Sequence, residues 1–322
     1  MTPTAINSRM GPVEWSMLLL LSILWGGSYF FVEIALLEWS PLLIVAVRVL
    51  IAAAVIWGIV LAAGLPVPRA RSAWVAFFWM GLLNNMLPFL LIVWGQKEIE
   101  SGLAAILTAV APIFTVIVAG LWLTDEPVTR SKLLGTVLGL IGVVVLIGPS
   151  ALAGIDVNLL AQLAILGAAL SYAVAGVYAR RFPRMNIDPI VAAAGQLLMS
   201  SLLMGLLALV FEEPHQLLET SVKVWMAIVS MAVFSTALAY ILYFRLIASA
   251  GATNAILVTL LIPVTAILLG AIFLDERLQW PHFLGMFAIG IGLSVIDGRL
   301  WRRNTLPSPN AQKNRSNLIK NE

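Results

Sequence analysis

The chain has 322 residues, of which 61% are hydrophobic and 11% charged, with a mean hydropathy of +0.99. A soluble domain carries about 25% charged residues, so a water-soluble fold is excluded and lipid must solvate most of the surface. No cysteine is present, which excludes a disulfide framework, a thiolate zinc site and a cysteine nucleophile.

Ten stretches reach the roughly 20 mainly apolar residues that a helical span needs. They are 15–37, 41–64, 72–95, 101–124, 130–149, 157–180, 188–211, 222–246, 252–274 and 280–300. The first is too long for the h-region of a cleavable signal, which runs about 7–15 residues. The breaks carry turn chemistry: Pro41, Gly64-Leu65-Pro66, Asp125-Glu126-Pro127, Gly148-Pro149, Phe182-Pro183, Glu212-Glu213-Pro214 and Pro281. The weakest break lies between Arg245 and Gly251, and merging there leaves nine spans. The expected fold is an all-α integral membrane protein of ten transmembrane helices. A cytoplasmic segment 1–14 precedes units at 15–149 and 157–300, and a polar tail at 301–322 is expected to be disordered.

The basic balance, pI near 9.4, invites a nucleic-acid reading, but charge placement explains it. With the N-terminus in the cytoplasm, fifteen Lys and Arg residues fall on the inner side, six of them from Arg299 to the C-terminal end. Only Lys97, Lys223 and Arg277 fall outside, and Arg48 lies within a span. This positive-inside bias puts both termini in the cytoplasm. The expected location is the cell inner (plasma) membrane.

The chain also resembles itself at a spacing near 150 residues. Ala105-Ile106-Leu107 lands on Ala255-Ile256-Leu257, Thr115 on Thr265, and Gly120 on Gly270. Asp125-Glu126 lands on Asp275-Glu276, Leu134-Gly135 on Leu284-Gly285, and Ile141-Gly142 on Ile291-Gly292. The earlier spans match more weakly: Ser40-Pro41 parallels Asp188-Pro189, placing Arg48 opposite Gln196, and Trp74 parallels Trp225, placing Asn84-Asn85 opposite Ser235-Thr236. An odd number of spans per half makes the second half enter from the opposite side. Two inverted five-helix repeats of this kind are a common build of secondary transporters.

The pattern Trp25-Gly26-Gly27-Ser28, Arg48, Gly102…Pro112…Asp125-Glu126 and Gly251…Pro263…Asp275-Glu276 resembles the ten-helix EamA-type members of the drug/metabolite transporter superfamily. The resemblance covers residues 14–300. It implies a secondary transporter of the inner membrane, usually an exporter of amino acids or related metabolites, with a cavity between two halves. Gln196 stands where the first half has Arg48, so the symmetry is incomplete.

Polar groups within spans nominate the pathway, because each needs a partner or a cavity. Arg48 and Glu33 are expected at comparable depth and able to pair. Two readings stay open for them: a coupling-proton site with a carboxylate clamp, or a structural pair locking two helices. Asn84 and Asn85 sit mid-span before Pro88, which deprives the Asn84 carbonyl of its helical donor. Pro112 does the same to Thr108 and Pro263 to Thr259. Interrupted helices at matching positions are a pointer to a transport site; re-satisfaction of the backbone by Thr hydroxyls is the alternative. Trp25, Tyr29, Tyr172 and Tyr240 are intramembrane aromatics that can wall a pocket, with Ser235, Thr236 and Asn254 as polar candidates.

No cofactor or metal is expected; His215 and His282 are too far apart in sequence to form a metal site alone. Expected partners are a small-molecule metabolite and the lipid bilayer, with protons as a candidate coupling ion and a homo-oligomer as a candidate assembly. No Walker A pattern is present. The competing readings are an intramembrane enzyme acting on lipid or prenyl substrates and a passive channel; the spans offer no carboxylate cluster for the former.

Overall fold

Helix fills nearly all of the computed structural model, which describes residues 10–99, 101–124, 129–147, 158–213, 216–273 and 279–297. The two Asp-Glu turns, the 150–156 connection, His215 and the tail at 301–322 lie outside the described residues.

The helices are α1 (Pro12–Ala35), α2 (Pro41–Ala62), α3 (Arg71–Glu98), α4 (Ser101–Thr108), α5 (Ala111–Trp122) and α6 (Arg130–Ile147). They continue as α7 (Leu159–Ala179), α8 (Pro189–Phe211), α9 (Val222–Ala250), α10 (Ala252–Ile256), α11 (Val258–Phe273) and α12 (Trp280–Asp297). Each stretch read from the sequence as a span holds helix. Among the described residues, seven helical stretches are long and apolar enough to cross a bilayer by themselves, and Ala252–Thr265 and Trp280–Ile296 are shorter apolar helices.

Local chemistry explains the starts. Ser40 caps α2 by accepting from the Leu43 N–H at 3.1 Å, and Pro41 takes the first helical position. Asp188 does the same for α8, accepting from Ile190 N–H at 2.8 Å ahead of Pro189. Asn158 and Ser221 cap α7 and α9. The turn between α9 and α10 is made by Gly251 at φ +86°, a left-handed conformation that costs glycine nothing. The two helices are therefore separate, and the weak break holds.

Among the described residues, two helices contain a π-helical turn. A π-helical turn occupies Leu82–Met86 in α3 and another occupies Val233–Leu238 in α9. The two stand 151 positions apart, the spacing of Trp74 and Trp225. Single π turns are rare and cluster at functional sites.

Side-chain contacts define two ends. At the distal end, reached by α1 at Ala35, the indole of Trp39 donates to Thr220 Oγ1 at 2.6 Å and Ser221 N–H to Glu38 Oε2 at 2.8 Å. Ser40 and Glu212 also bond there, and Asn158 donates to Glu98 at 3.2 Å. At the proximal end, the Phe77 and Phe182 rings lie 5.6 Å apart and Phe182 and Phe244 5.8 Å apart.

Helices in lipid associate by close packing and hydrogen bonds, not by hydrophobic expulsion. α6 and α12 meet through glycine: a Cβ on Gly135 would lie 2.6 Å from the Gly292 carbonyl oxygen, and one on Gly142 2.9 Å from that of Gly285. Gly135 matches Gly285 and Gly142 matches Gly292 in the repeat register, so the two contacts are reciprocal. α2 and α8 are tied by Trp57 Nε1 to the Ala194 carbonyl at 3.0 Å and Ser201 Oγ to the Val49 carbonyl at 2.9 Å.

Candidate functional site

A cavity opens between the helices of the two sequence halves. Its wall includes Trp25, Tyr29 and Val32 from α1, Arg48 from α2, and Asn84, Phe89 and Gln96 from α3. Thr108, Tyr172, Tyr240, Tyr243 and Thr259 complete it from α4, α7, α9 and α11. The space open to water is about 60 Å³, against roughly 10–15 Å³ needed to seat one water. That is room for a few waters and well short of the roughly 300–1,000 Å³ of an open ligand pocket. Val32 and Gln96 carry the wall toward the distal end. Toward the proximal end, Tyr240, Tyr243 and Phe244 form a continuous aromatic layer, with centroid separations of 6.1 Å and 5.6 Å.

Arg48 is the one charged residue in this wall among the described residues. It is only 4% exposed. Its Nε donates to Thr236 Oγ1 at 2.7 Å, and its guanidinium carbon sits 3.9 Å from the Phe89 ring centroid. Burying an arginine at mid-membrane costs about 2.5–3.5 kcal/mol on insertion scales. A hydrogen bond from a charged donor returns about 1.5–3 kcal/mol, and a desolvated cation–π contact about 2 kcal/mol. These offset the burial without neutralising the charge. No carboxylate pairs with Arg48 among the described residues; its electrostatic neighbours are tyrosines.

The polar neighbours are held by the π turns. A π turn displaces backbone carbonyls from the ordinary ladder, and side chains take them up. In α3, Ser200 donates to the Gly81 carbonyl at 3.1 Å, Ser171 to that of Leu83 at 2.6 Å, and Tyr240 to that of Asn84 at 2.9 Å. In α9, Thr236 donates to the Met231 carbonyl at 2.9 Å, leaving its oxygen to accept from Arg48. Asn84 Nδ2 donates to Gln196 Oε1 at 3.0 Å, and Asn85 Nδ2 to Ser200 Oγ at 2.8 Å.

Of the residues singled out in the sequence, the cavity gathers Trp25, Tyr29, Arg48, Asn84, Thr108, Tyr172, Tyr240 and Thr259. Trp25 stands edge-on to Tyr240 at 6.2 Å, and Thr108 shares a hydrogen bond with Tyr29. Asn85, Ser235 and Thr236 are buried behind the wall. Asn254 is half-buried, its amide donating to the Ala250 carbonyl at 2.9 Å.

Two expectations need correction. Glu33 is exposed on α1 and forms no pair with Arg48, because its position on the helix turns it away from the bundle. The matched Thr–Pro kinks are not equivalent either. Pro112 occupies the first turn of α5, just after a break at residues 109–110, whereas Pro263 lies inside α11 and the interruption there falls at Leu257. Thr108 Oγ1 donates to the Ala104 carbonyl at 2.8 Å and Thr259 Oγ1 to that of Ile256 at 2.9 Å. Neither proline is in the wall.

Sequence reasoning missed Phe89 and Tyr243, which wall the cavity. The signal for Phe89 was present: the spacing that pairs Trp74 with Trp225 also pairs Phe89 with Tyr240. Tyr243 stands one turn beyond Tyr240 on the same face.

The chain is similar to known transporters along nearly its whole length. The EamA-like transporter family matches residues 14–148 and 159–296. The uncharacterized transporter YvbV of Bacillus subtilis is 27% identical over 281 residues, spanning 87% of this chain and 90% of that protein. The uncharacterized inner membrane transporter YedA of Escherichia coli K12 is 26% identical over 280 residues, 86% of this chain and 88% of that one. Protein PecM of Dickeya dadantii is 26% identical over 273 residues, 84% and 88%. A protein crystal structure superposes with TM-score 0.71 at 20% identity, over 91% of this chain and 100% of the other, a likeness of fold.

Proposed function

The chain belongs to the EamA-like transporter family, within the drug/metabolite transporter superfamily, and on that premise we propose that it exports amino acids or related small metabolites as a secondary active transporter. It is a multi-pass membrane transporter and not an enzyme. Its ten spans form two inverted halves, 15–149 and 157–300, both termini lie in the cytoplasm, and solute passes by alternating access through the cavity between the halves. The observation that carries it is the buried, carboxylate-free Arg48 in an aromatic-walled cavity between the two halves. The reciprocal glycine contacts of α6 with α12 and the matched π turns support the inversion.

Arg48 has the chemistry to take a solute carboxylate, which forms charge-assisted hydrogen bonds with a guanidinium. Trp25, Tyr240 and Tyr243 offer an apolar wall for the rest of the solute. The small volume of the space corresponds to an occluded arrangement that widens at the distal end to admit or release solute. Glu33 is exposed and outside the cavity wall, so a coupling proton travels bound to the solute.

Purified protein in liposomes loaded with a mixture of L-amino acids should release at least one of them faster than empty liposomes. Absence of efflux for every carboxylate solute offered overturns the reading. Reporters fused at residues 183 and 215 should fall on opposite faces, cytoplasmic and external respectively; the same face for both refutes the topology.

A further inference from the structure

The polar cluster behind the cavity holds two unsatisfied atoms. Gln196 and Asn85 are fully buried, yet Gln196 Nε2 and Asn85 Oδ1 have no hydrogen-bond partner. Each residue's other amide atom is engaged, Gln196 Oε1 by Asn84 and Asn85 Nδ2 by Ser200. One donor and one acceptor therefore stand free in the same cluster. Buried polar groups are nearly always satisfied, and exceptions call for an explanation.

Position supplies one. Gln196 lies seven positions after Pro189 in α8, as Arg48 lies seven after Pro41 in α2. Arg48 bonds to the π turn of α9, and Gln196 to the π turn of α3. The two residues thus occupy equivalent seats, one beside the cavity and one away from it. A second pocket lies at the proximal end, walled by Phe182, Ala192, Phe244 and Ile247. Phe244 and Ile247 are the 151-residue counterparts of Val93 and Gln96, which wall the main cavity. Ala192 precedes Gln196 by one helical turn on the same face of α8. Tyr243 walls the first space and Phe244 the second, and their rings pack edge to face at 5.6 Å in the aromatic layer.

We infer that Gln196, Asn84 and Asn85 form a second polar site of the transport path, reached from the proximal end when that aromatic layer parts, and that it takes the zwitterionic head of an amino acid. Gln196 Nε2 receives the carboxylate and Asn85 Oδ1 the ammonium. The site rests on the transporter reading above and extends it. The solute leaves a neutral amide at one end and meets a cation at the other. Charged donors hold carboxylates more tightly than neutral ones, so affinity at the Gln196 side should be about tenfold weaker.

The cysteine-free chain makes the test direct, since one introduced cysteine is the only thiol. In oriented membrane vesicles, Gln196→Cys and Ala192→Cys should react with a membrane-impermeant methanethiosulfonate from the face carrying residue 183. Val32→Cys should react only from the opposite face. A mixture of L-amino acids should slow labelling of Ala192→Cys at least fivefold, and the matching 2-oxo acids, which lack the ammonium, should not. Labelling of Gln196→Cys and Ala192→Cys from the Val32 face, no labelling of either in folded protein, or equal protection by both solute sets overturns the second site. Failure of efflux overturns the transporter reading instead, and that is measured separately on unmodified protein.

Discussion

Replacing Arg48 by alanine separates stability from transport. The substitution removes the hydrogen bond to Thr236 and the contact with Phe89, a loss of about 1.5–3 kcal/mol and about 2 kcal/mol. It also removes a burial cost of about 2.5–3.5 kcal/mol. The terms nearly cancel, so the melting temperature in detergent should move by only a few degrees. Solute binding has no such compensation. Losing one partner of a buried, hydrogen-bonded charge pair costs about 2–5 kcal/mol, or roughly 30-fold to 5,000-fold in affinity. Efflux of amino acids from proteoliposomes should fall accordingly for Arg48→Ala. Arg48→Lys should recover part of it, because the charge returns without the planar fork. Wild-type efflux by folded Arg48→Ala would refute the clamp. A collapse of thermal stability would refute the energy balance behind it.

Two further outcomes follow from particular residues. Pro263 sits inside α11 and Pro112 in the first turn of α5; an internal proline costs a helix about 3 kcal/mol, whereas a first-turn proline costs little. Pro263→Ala should therefore raise the melting temperature and Pro112→Ala leave it nearly unchanged, and equal effects would show that the two positions are equivalent after all. At the distal end, hydrogen bonds from Ser221 hold the Glu38 carboxyl below its ordinary range. A depressed folded value adds stability above the unfolded pKa and loses it as pH falls through the folded value. After division by the intrinsic exchange rate at each pH, opening at residues 36–40 and 220–224 should increase only below the ordinary carboxylate range, and Glu38→Gln should abolish that increase.

The membrane class and the helical stretches were legible because both are local. A run of apolar residues crosses lipid whatever it packs against, and Ser40-Pro41 or Asp188-Pro189 starts a helix by its own capping chemistry. Arg48 was legible too, since a charge within a span demands an explanation wherever it sits. Glu33 was misread because depth along a helix says nothing about the direction a side chain points. Its neighbour Val32 faces the cavity while Glu33 faces out.

By itself, then, the sequence determined an apolar, helix-built membrane chain with a repeat near 150 residues and one intramembrane arginine. Only the tertiary structure decided what that arginine touches. It set Arg48 against Thr236 and Phe89, brought Tyr243 into the wall, and left Gln196 and Asn85 with free polar atoms behind it. These depend on the rotation of each helix and on the π turns of α3 and α9, which shift side chains by about one residue around the axis. Rotation is settled by packing between helices far apart in sequence, through contacts such as Gly135 on Gly292 and Phe77 on Gly195, and no local pattern in the chain encodes it.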